Sequence, residues 1–293
     1  MADGGSYPGI VTQRPGGVGR NHADVLARLG LHSTLLTHFG DDENGNYLKR
    51  TGEHIDLSRC QTVPVPSATY FAMNVKGNVR YGISSIEKIM ATLTTDIIRQ
   101  NRDLLATSDF FVIDGNVRVE TLKFAIEQAA QLNVPVWFEP TDIDKMQKLF
   151  KSELIDKVAV TSPNRNEFRE LCRFAGVSIS EKDLSSPKSV QDFITKNRQF
   201  FQNFKHLIVT MGGEGVVVCS REKDDLHILT RSAPLADAEV VSVSGAGDCW
   251  NGGFLAGWLL GKTVEERIDL AQETARKSLK STFAVPETIQ SLI

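Results

Sequence analysis

Short runs of β-branched and aromatic residues alternate along the chain with stretches whose apolar positions follow a helical period. Runs of the first kind predict strands at Ser33–Phe39, Asp109–Ile113, Val134–Phe138, Lys157–Val160, His206–Thr210, Gly215–Ser220 and Leu226–Thr230. The second kind predicts helices at Asn21–Leu29, Asn44–His54, Thr95–Ala106, Val119–Leu132, Arg165–Ala175 and Val190–Gln202. Two more are expected over Ala246–Leu260 and Val264–Ser281. Strands alternating with helices specify an α/β fold with a mainly parallel sheet covered on both faces. One segment breaks the rhythm: Val63–Val75 and Val79–Ile86 are both strand-like and meet at Lys76-Gly77-Asn78, a hairpin composition. With no helix between them, the pair reads either as an edge hairpin or as a lid or dimerising flap. No repeat, low-complexity tract or linker divides the chain, so residues 1–293 are expected to form one domain, with 61–86 as the lid segment.

Composition narrows the class. Of 293 residues, 41% are hydrophobic and 24% charged, which is globular usage and enough to bury a sizeable core. The net charge of −3 offers no basic field for nucleic acid or an anionic membrane surface. The longest apolar stretch, near Phe254–Leu260, is far short of the ~20 residues that span a bilayer. The start, MADGGSYPG, lacks the charged and apolar regions of an export signal. Cys60, Cys172, Cys219 and Cys249 are scattered and have no zinc spacing, which suits reduced thiols and predicts a cytoplasmic location.

In open α/β sheets, ligands bind beyond the carboxyl ends of the strands. Four clusters follow predicted strands or open predicted helices. Ser242-Val243-Ser244-Gly245-Ala246-Gly247-Asp248 leads into a helix continuing Gly252-Gly253-Phe254-Leu255. Consecutive amides at a helix start hold phosphate, and an acid placed among them repels that phosphate unless it serves as a base for an attacking hydroxyl. The plain alternative is a tight turn with Asp248 as a cap. Gly16-Gly17-Val18-Gly19-Arg20-Asn21 opens another helix without the spacing of a dinucleotide fingerprint or a Walker loop. It suits close approach of a small polar ligand to the Asn21 amide, or a structural turn. Asn164 and Glu167 lie three apart after Ser162-Pro163, a spacing that serves a hydrated Mg²⁺ or a helix capping box. Thr210-Met211-Gly212-Gly213-Glu214-Gly215 reads as a nucleotide contact or a hairpin. Asp114-Gly115-Asn116 also follows a predicted strand. The six His residues form no metal-type pair, and Cys249 reads as packing.

Taken in order, these residues resemble the ribokinase-like (PfkB) carbohydrate kinase family over nearly the whole chain. Gly16, Gly17, Asn21, Ala23, Gly30 and Gly40 match its N-terminal pattern, and Ser242 through Leu255 its C-terminal one. The resemblance implies a three-layer α/β/α fold with a small β-hairpin lid, and ATP-dependent phosphorylation of a sugar or nucleoside hydroxyl with Mg²⁺ and often K⁺. It implies Asp248 as the base, Gly245, Ala246 and Gly247 as the anion hole, and Asn164 and Glu167 as organisers of Mg²⁺. Thr210, Gly212, Gly215 and Asn164 would line the nucleotide; Gly16, Gly17, Asn21 and Asn116 would face the acceptor. Within the family, Pro15 through Asn21, Trp137-Phe138-Glu139-Pro140, Ser162-Pro163-Asn164 and Ser278-Leu279-Lys280-Ser281 are similar to the runs of pseudouridine kinases. In animals such kinases occur as one half of a fusion with pseudouridine-5′-phosphate glycosidase. The resemblance therefore points to the 5′-hydroxyl of pseudouridine as acceptor. Another nucleoside or sugar kinase, for adenosine or ribose, is the alternative within the family. A nucleotide-binding chain without turnover is the alternative outside enzymes.

Three departures bear on this. Relatives begin with a strand ending in an Asp that grips sugar hydroxyls, and Asp3 is too close to Gly16 to take that place, so a truncated form, a splice form or a fragment of a longer fusion is expected. The lid run Gly82-Ile83-Ser84-Ser85-Ile86 has Ser where related kinases carry an acid. Ser242 and Ser244 stand where Asn or Asp and Thr are commoner. A homodimer through the lid is expected of the partners, along with a small-molecule acceptor and neither nucleic acid nor membrane.

Overall fold

The computed structural model describes residues 8–75, 78–223 and 225–292. Its first part runs α1 (Val18–Arg28), β1 (His38–Gly40), α2 (Glu43–Arg50) and β2 (Gln61–Val63). The pair β3 (Thr69–Val75) and β4 (Asn78–Ser85) follows, then the short helices α3 (Glu87–Met90), α4 (Thr95–Gln100) and α5 (Arg102–Ala106). Strands and helices next alternate through β5 (Phe111–Asp114), α6 (Val119–Gln131), β6 (Val136–Glu139), α7 (Ile143–Lys151), β7 (Val158–Thr161) and α8 (Arg165–Phe174). After α9 (Pro187–Lys196) and α10 (Arg198–Phe201) come β8 (His206–Thr210), β9 (Val216–Glu222) and β10 (Asp225–Arg231). The last long helices are α11 (Ala246–Leu259) and α12 (Val264–Leu279).

Six strands form the main sheet in the order β10-β9-β8-β7-β6-β5. The β5–β8 strands run parallel, and β8, β9 and β10 are joined antiparallel. Alternation of side chains along each strand sorts the core into two layers. Val136 and Phe138 of β6, Leu207 and Val209 of β8, and Val217 and Cys219 of β9 face a core shared with α4, α6, α7, α8 and α9. Trp137, Ile208, Val216 and Val218 point the other way, against α1, α11 and α12. Burial on both faces explains why these strands read as unbroken apolar runs. The α11 helix is buried nearly all round, and its glycines let neighbours close in: a Cβ on Gly252 would sit 2.7 Å from Val25 of α1, and one on Gly253 2.9 Å from Ala271 of α12.

β3 and β4 pair only with each other, and β1 pairs with β2, so the region over 61–86 stands apart from the main sheet. The Lys76 and Gly77 positions of the expected turn lie outside the described residues. β5 is the edge of the main sheet, and it lines a cavity of about 580 Å³ together with residues 32–39 and helix α1.

Several element bounds differ from the sequence reading. The strand expected over Ser33–Phe39 shortens to β1, with one bridge from Thr34 to Asp56, because this segment pairs on one side only. The expected 95–106 helix breaks at Asn101, whose side-chain amide donates to the Ile97 carbonyl (2.8 Å). The expected 190–202 helix breaks in the same way at Asn197, which donates to the Phe193 carbonyl (2.9 Å). In both, an Asn side chain competes with the backbone ladder. The helix predicted over Asn44–His54 ends as α2 at Arg50, the strand expected over Val63–Val75 is divided between β2 and β3, and α3 and α7 were not predicted. α7 carries a readable signal: Asp142 caps it by accepting from the Lys145 amide (2.9 Å), and Met146 and Leu149 bury one face.

Candidate active site

The carboxyl ends of β5, β6, β7 and β8 carry Asp114, Glu139, Thr161 and Thr210 along one edge of the sheet. Two helices begin over that edge. At α11, Gly245 adopts φ 80°, and a Cβ there would lie 2.5 Å from the Ala284 Cβ. The left-handed turn suits glycine, and it starts α11 with the Ala246 amide donating to the Val243 carbonyl (3.3 Å). Gly247 has no neighbouring atom within 4 Å of a built Cβ, so the space before it is open. Gly245 is the N-cap, and Asp248 sits in the first turn with its carboxyl bonded to Asn21 of α1, which sets aside the capping alternative for Asp248. The Cys249 thiol is buried, donates to the Ala284 carbonyl (3.1 Å) and is pushed far above the usual thiol range by burial, in keeping with a packing role.

The other helix is α1, capped by Gly17 at φ 102°. The Asn21 amide Nδ2 donates to Asp248 Oδ2 at 2.6 Å, across 227 residues of sequence. Asn21 is itself buried, and its Oδ1 has no partner. One turn on, buried Asp24 collects Arg20 (3.3 Å), Arg28 (2.6 Å) and His54 (2.6 Å), which fixes the helix. Asp114 ties the same helix to β5: its Oδ2 accepts from the Gly19 amide (3.3 Å), and its Oδ1 from the Asn116 amide (2.8 Å). Burial raises the Asp248 carboxyl to about 7; the negative charge of Asp114 adds to the rise and the Asn21 bond opposes it. A carboxyl so poised can accept a proton near neutral pH.

Asn164 forms the capping box of α8: its Oδ1 accepts from the Asn166 (2.9 Å) and Glu167 (3.0 Å) amides, and Glu167 Oε2 accepts from the Asn164 amide (2.8 Å). The capping geometry is therefore real. Burial pushes Glu167 up to about 7. Glu139, which the sequence reading noted at a strand end and in the run Trp137 through Pro140 but gave no role, is 8% exposed at the end of β6. Ser162 Oγ and the Asn251 amide (2.9 Å) both donate to its Oε2, and the Trp137 indole donates to Ser162 (2.7 Å). Burial raises its pKa well above the usual range, and the charges of Glu167 and Asp248 raise it further. Glu139 was legible only as an acid ending an apolar strand.

Glu139 feels the charges of both Glu167 and Asp248, and the Asn251 Oδ1, whose amide donates to Glu139, is buried and unpartnered; these oxygens are a donor set suited to a hard cation. Among the described residues no group of three His, Cys, Asp or Glu side chains could hold a metal ion.

Thr210 lies beside this group, since its amide donates to the Pro163 carbonyl (3.1 Å) and a bridge joins it to Asn164. Gly212 (φ 59°) is open to solvent, with nothing near a built Cβ. Gly215 is a glycine for packing: at φ 112° a Cβ would meet the Arg231 carbonyl at 2.0 Å. Gly16, Gly17 and Asn116 line the 580 Å³ cavity beside Asp114. The fold thus gathers the predicted residues of the four clusters on one edge, in two groups: Asn21, Asp248 and the α11 amides, and Asn164, Glu167 and Thr210.

A family model described as pfkB family carbohydrate kinase matches residues 2–287. Among curated proteins, a pseudouridine kinase of Arabidopsis thaliana is 24% identical, covering 97% of this chain and 86% of its own. One from Escherichia coli is 27% identical, covering 95% and 84%. Among solved structures, Arabidopsis thaliana ribokinase complexed with ribose and ATP superposes with a TM-score of 0.75 at 18% identity, covering 94% of this chain and 86% of that one. The three-layer α/β/α architecture is the fold they share.

Proposed function

This chain belongs to the pfkB family of carbohydrate kinases, and from that membership we propose that it transfers the γ-phosphoryl group of ATP to the 5′-hydroxyl of pseudouridine. It is a phosphotransferase of sugar or nucleoside type, and the acceptor is the part we assign. The observation that carries the reading is the 2.6 Å bond from Asn21 to Asp248, which joins the N-terminal glycine cluster to the α11 amides around a carboxyl near pKa 7.

In this assignment the acceptor lies against Gly16, Gly17, Asn21 and Asn116, and the nucleotide against Thr210, Gly212 and Asn164, while Gly215, expected there from the sequence, is buried against Arg231. Asp248 takes the hydroxyl proton as the oxygen attacks the γ-phosphorus and the bond to the bridging oxygen of ADP breaks. The amides of Gly245, Ala246 and Gly247 face the phosphoryl oxygens and offset their charge without reorganising. Asn164 and Glu167 hold Mg²⁺ through its waters, with Glu139 behind them; when bound, that ion neutralises phosphate charge. The chain acts as one kinase domain whose 61–86 segment serves as lid. The local runs shared with pseudouridine kinases, and the two curated relatives of that activity, support pseudouridine over other acceptors.

ADP release measured with pseudouridine, uridine, adenosine, ribose and fructose tests this. Turnover is expected with pseudouridine at a kcat/KM at least tenfold above the others. Preference for ribose or adenosine would keep the kinase and replace the acceptor; ATP binding without transfer to any of them would remove the activity.

A further inference from the structure

The loop after β5 is held from the side by a residue of α7. Lys148 Nζ donates to the carbonyls of Gly115 (2.7 Å) and Val117 (2.8 Å), and lies 3.5 Å from that of Asn116. One ammonium thus gathers three consecutive carbonyl oxygens. The loop is close-fitted as well: the Gly115 amide donates to the Glu139 carbonyl (2.8 Å), and a Cβ on Gly115 would lie 2.5 Å from the Pro140 carbonyl. From the opposite side, Asp114 holds the Gly19 amide and closes a turn onto the Asn116 amide. The three carbonyls are drawn toward α7, and Asn116 lines the same cavity as Gly16 and Gly17.

We infer that Lys148 is a positioning residue that sets acceptor affinity by fixing the backbone on which Asn116 is carried. This rests on the reading of Asn116 as an acceptor contact. Charge-assisted bonds are the stronger kind, and one donor shared by three acceptors in sequence fixes the peptide planes between them. A displacement of the carried group by ~1 Å costs up to ~10² in binding or rate. An Arg cannot replace Lys here, because its planar fork does not converge on three adjacent carbonyls.

The test compares K148M, K148R, N116A and the K148M/N116A pair by steady-state kinetics, with hydrogen exchange of the 115–118 amides. K148M and K148R are expected to raise the acceptor KM about tenfold while kcat and the ATP KM stay within about twofold, and to speed exchange at 115–118. K148M added to N116A should worsen the acceptor KM by less than about twofold, since both act through one contact. An unchanged acceptor KM in K148M, a matching loss in ATP KM and kcat, or additive effects would overturn the inference while leaving the function intact. An acceptor KM left unchanged by N116A would remove the Asn116 reading, and the inference with it. If K148M folds poorly, K148R, which keeps the charge, carries the same expectations.

Discussion

At the scale of single residues, the site is a problem of crowded acids. Asp248, Asp114, Glu139 and Glu167 sit on one edge, and burial above all raises Asp248 and Glu167 to about 7 and Glu139 well above its ordinary range, with Asp114 adding at Asp248, Asp142 at Glu167, and Glu167 and Asp248 at Glu139. An aligned base contributes ~10²–10⁴ in rate, so D248N should lose that much kcat while its ATP dissociation constant moves less than about threefold. Calorimetry beside turnover checks this, and near-normal kcat would remove the assigned base. The pKa gives a second expectation. Asp248 must be ionised to accept a proton, so kcat/KM for the acceptor should fall as pH drops below about 7. Asp114 contributes to the rise, so D114N should move that acid limb to lower pH; a limb unmoved by D114N, or moved upward, would contradict the electrostatic account.

Among the elements, the start of α11 separates two kinds of glycine. Gly245 needs its positive φ and abuts Ala284, whereas Gly247 faces open space. G245A should therefore lower the melting temperature by several degrees, as strained backbone and overpacking together cost ~2 kcal/mol or more. G247A should melt within about two degrees of the parent yet lose at least tenfold in kcat, because its methyl enters the space assigned to the phosphoryl group. Equal melting losses in both would show that Gly247 is structural. The same contrast marks the limit of reading elements from sequence. Both glycines stood out in the Gly-Ala-Gly run, but only the packing of the 281–286 loop on α11 tells which one is required by the fold. Likewise the breaks at Asn101 and Asn197 arise from side-chain bonds that periodicity does not encode.

For the molecule as a whole, the unsatisfied surface lies on the β3–β4 pair. Phe71 opposes Ile83, and Met73 opposes Tyr81, so these four share one face, and they are 55%, 64%, 36% and 56% exposed. A two-stranded ribbon is marginal by itself, and an apolar face of this kind marks an interaction site. The expectation of a homodimer through this segment is tested by sedimentation: F71D/I83D should convert a dimer to monomer, and a monomeric parent at tens of micromolar would end that expectation. Among the described residues no helix is long and apolar enough to cross a membrane.

Local order was written in the sequence wherever its cause is local. Periodicity two and 3.6 located most strands and helices, the Asn164–Glu167 box started α8, and glycine runs marked where backbone must turn. Asp248, Asn21 and Glu167 were legible because each sits in such a run. Tertiary structure alone decided what depends on distance through space: that Asn21 meets Asp248, that Glu139 and Asp114 join the acids, that Lys148 reaches the loop after β5, and that Gly215 answers to Arg231. The physical reason is that proton affinity and hydrogen-bond partnership are set by atoms a few ångströms away, and in this fold those atoms come from strands and helices remote along the chain.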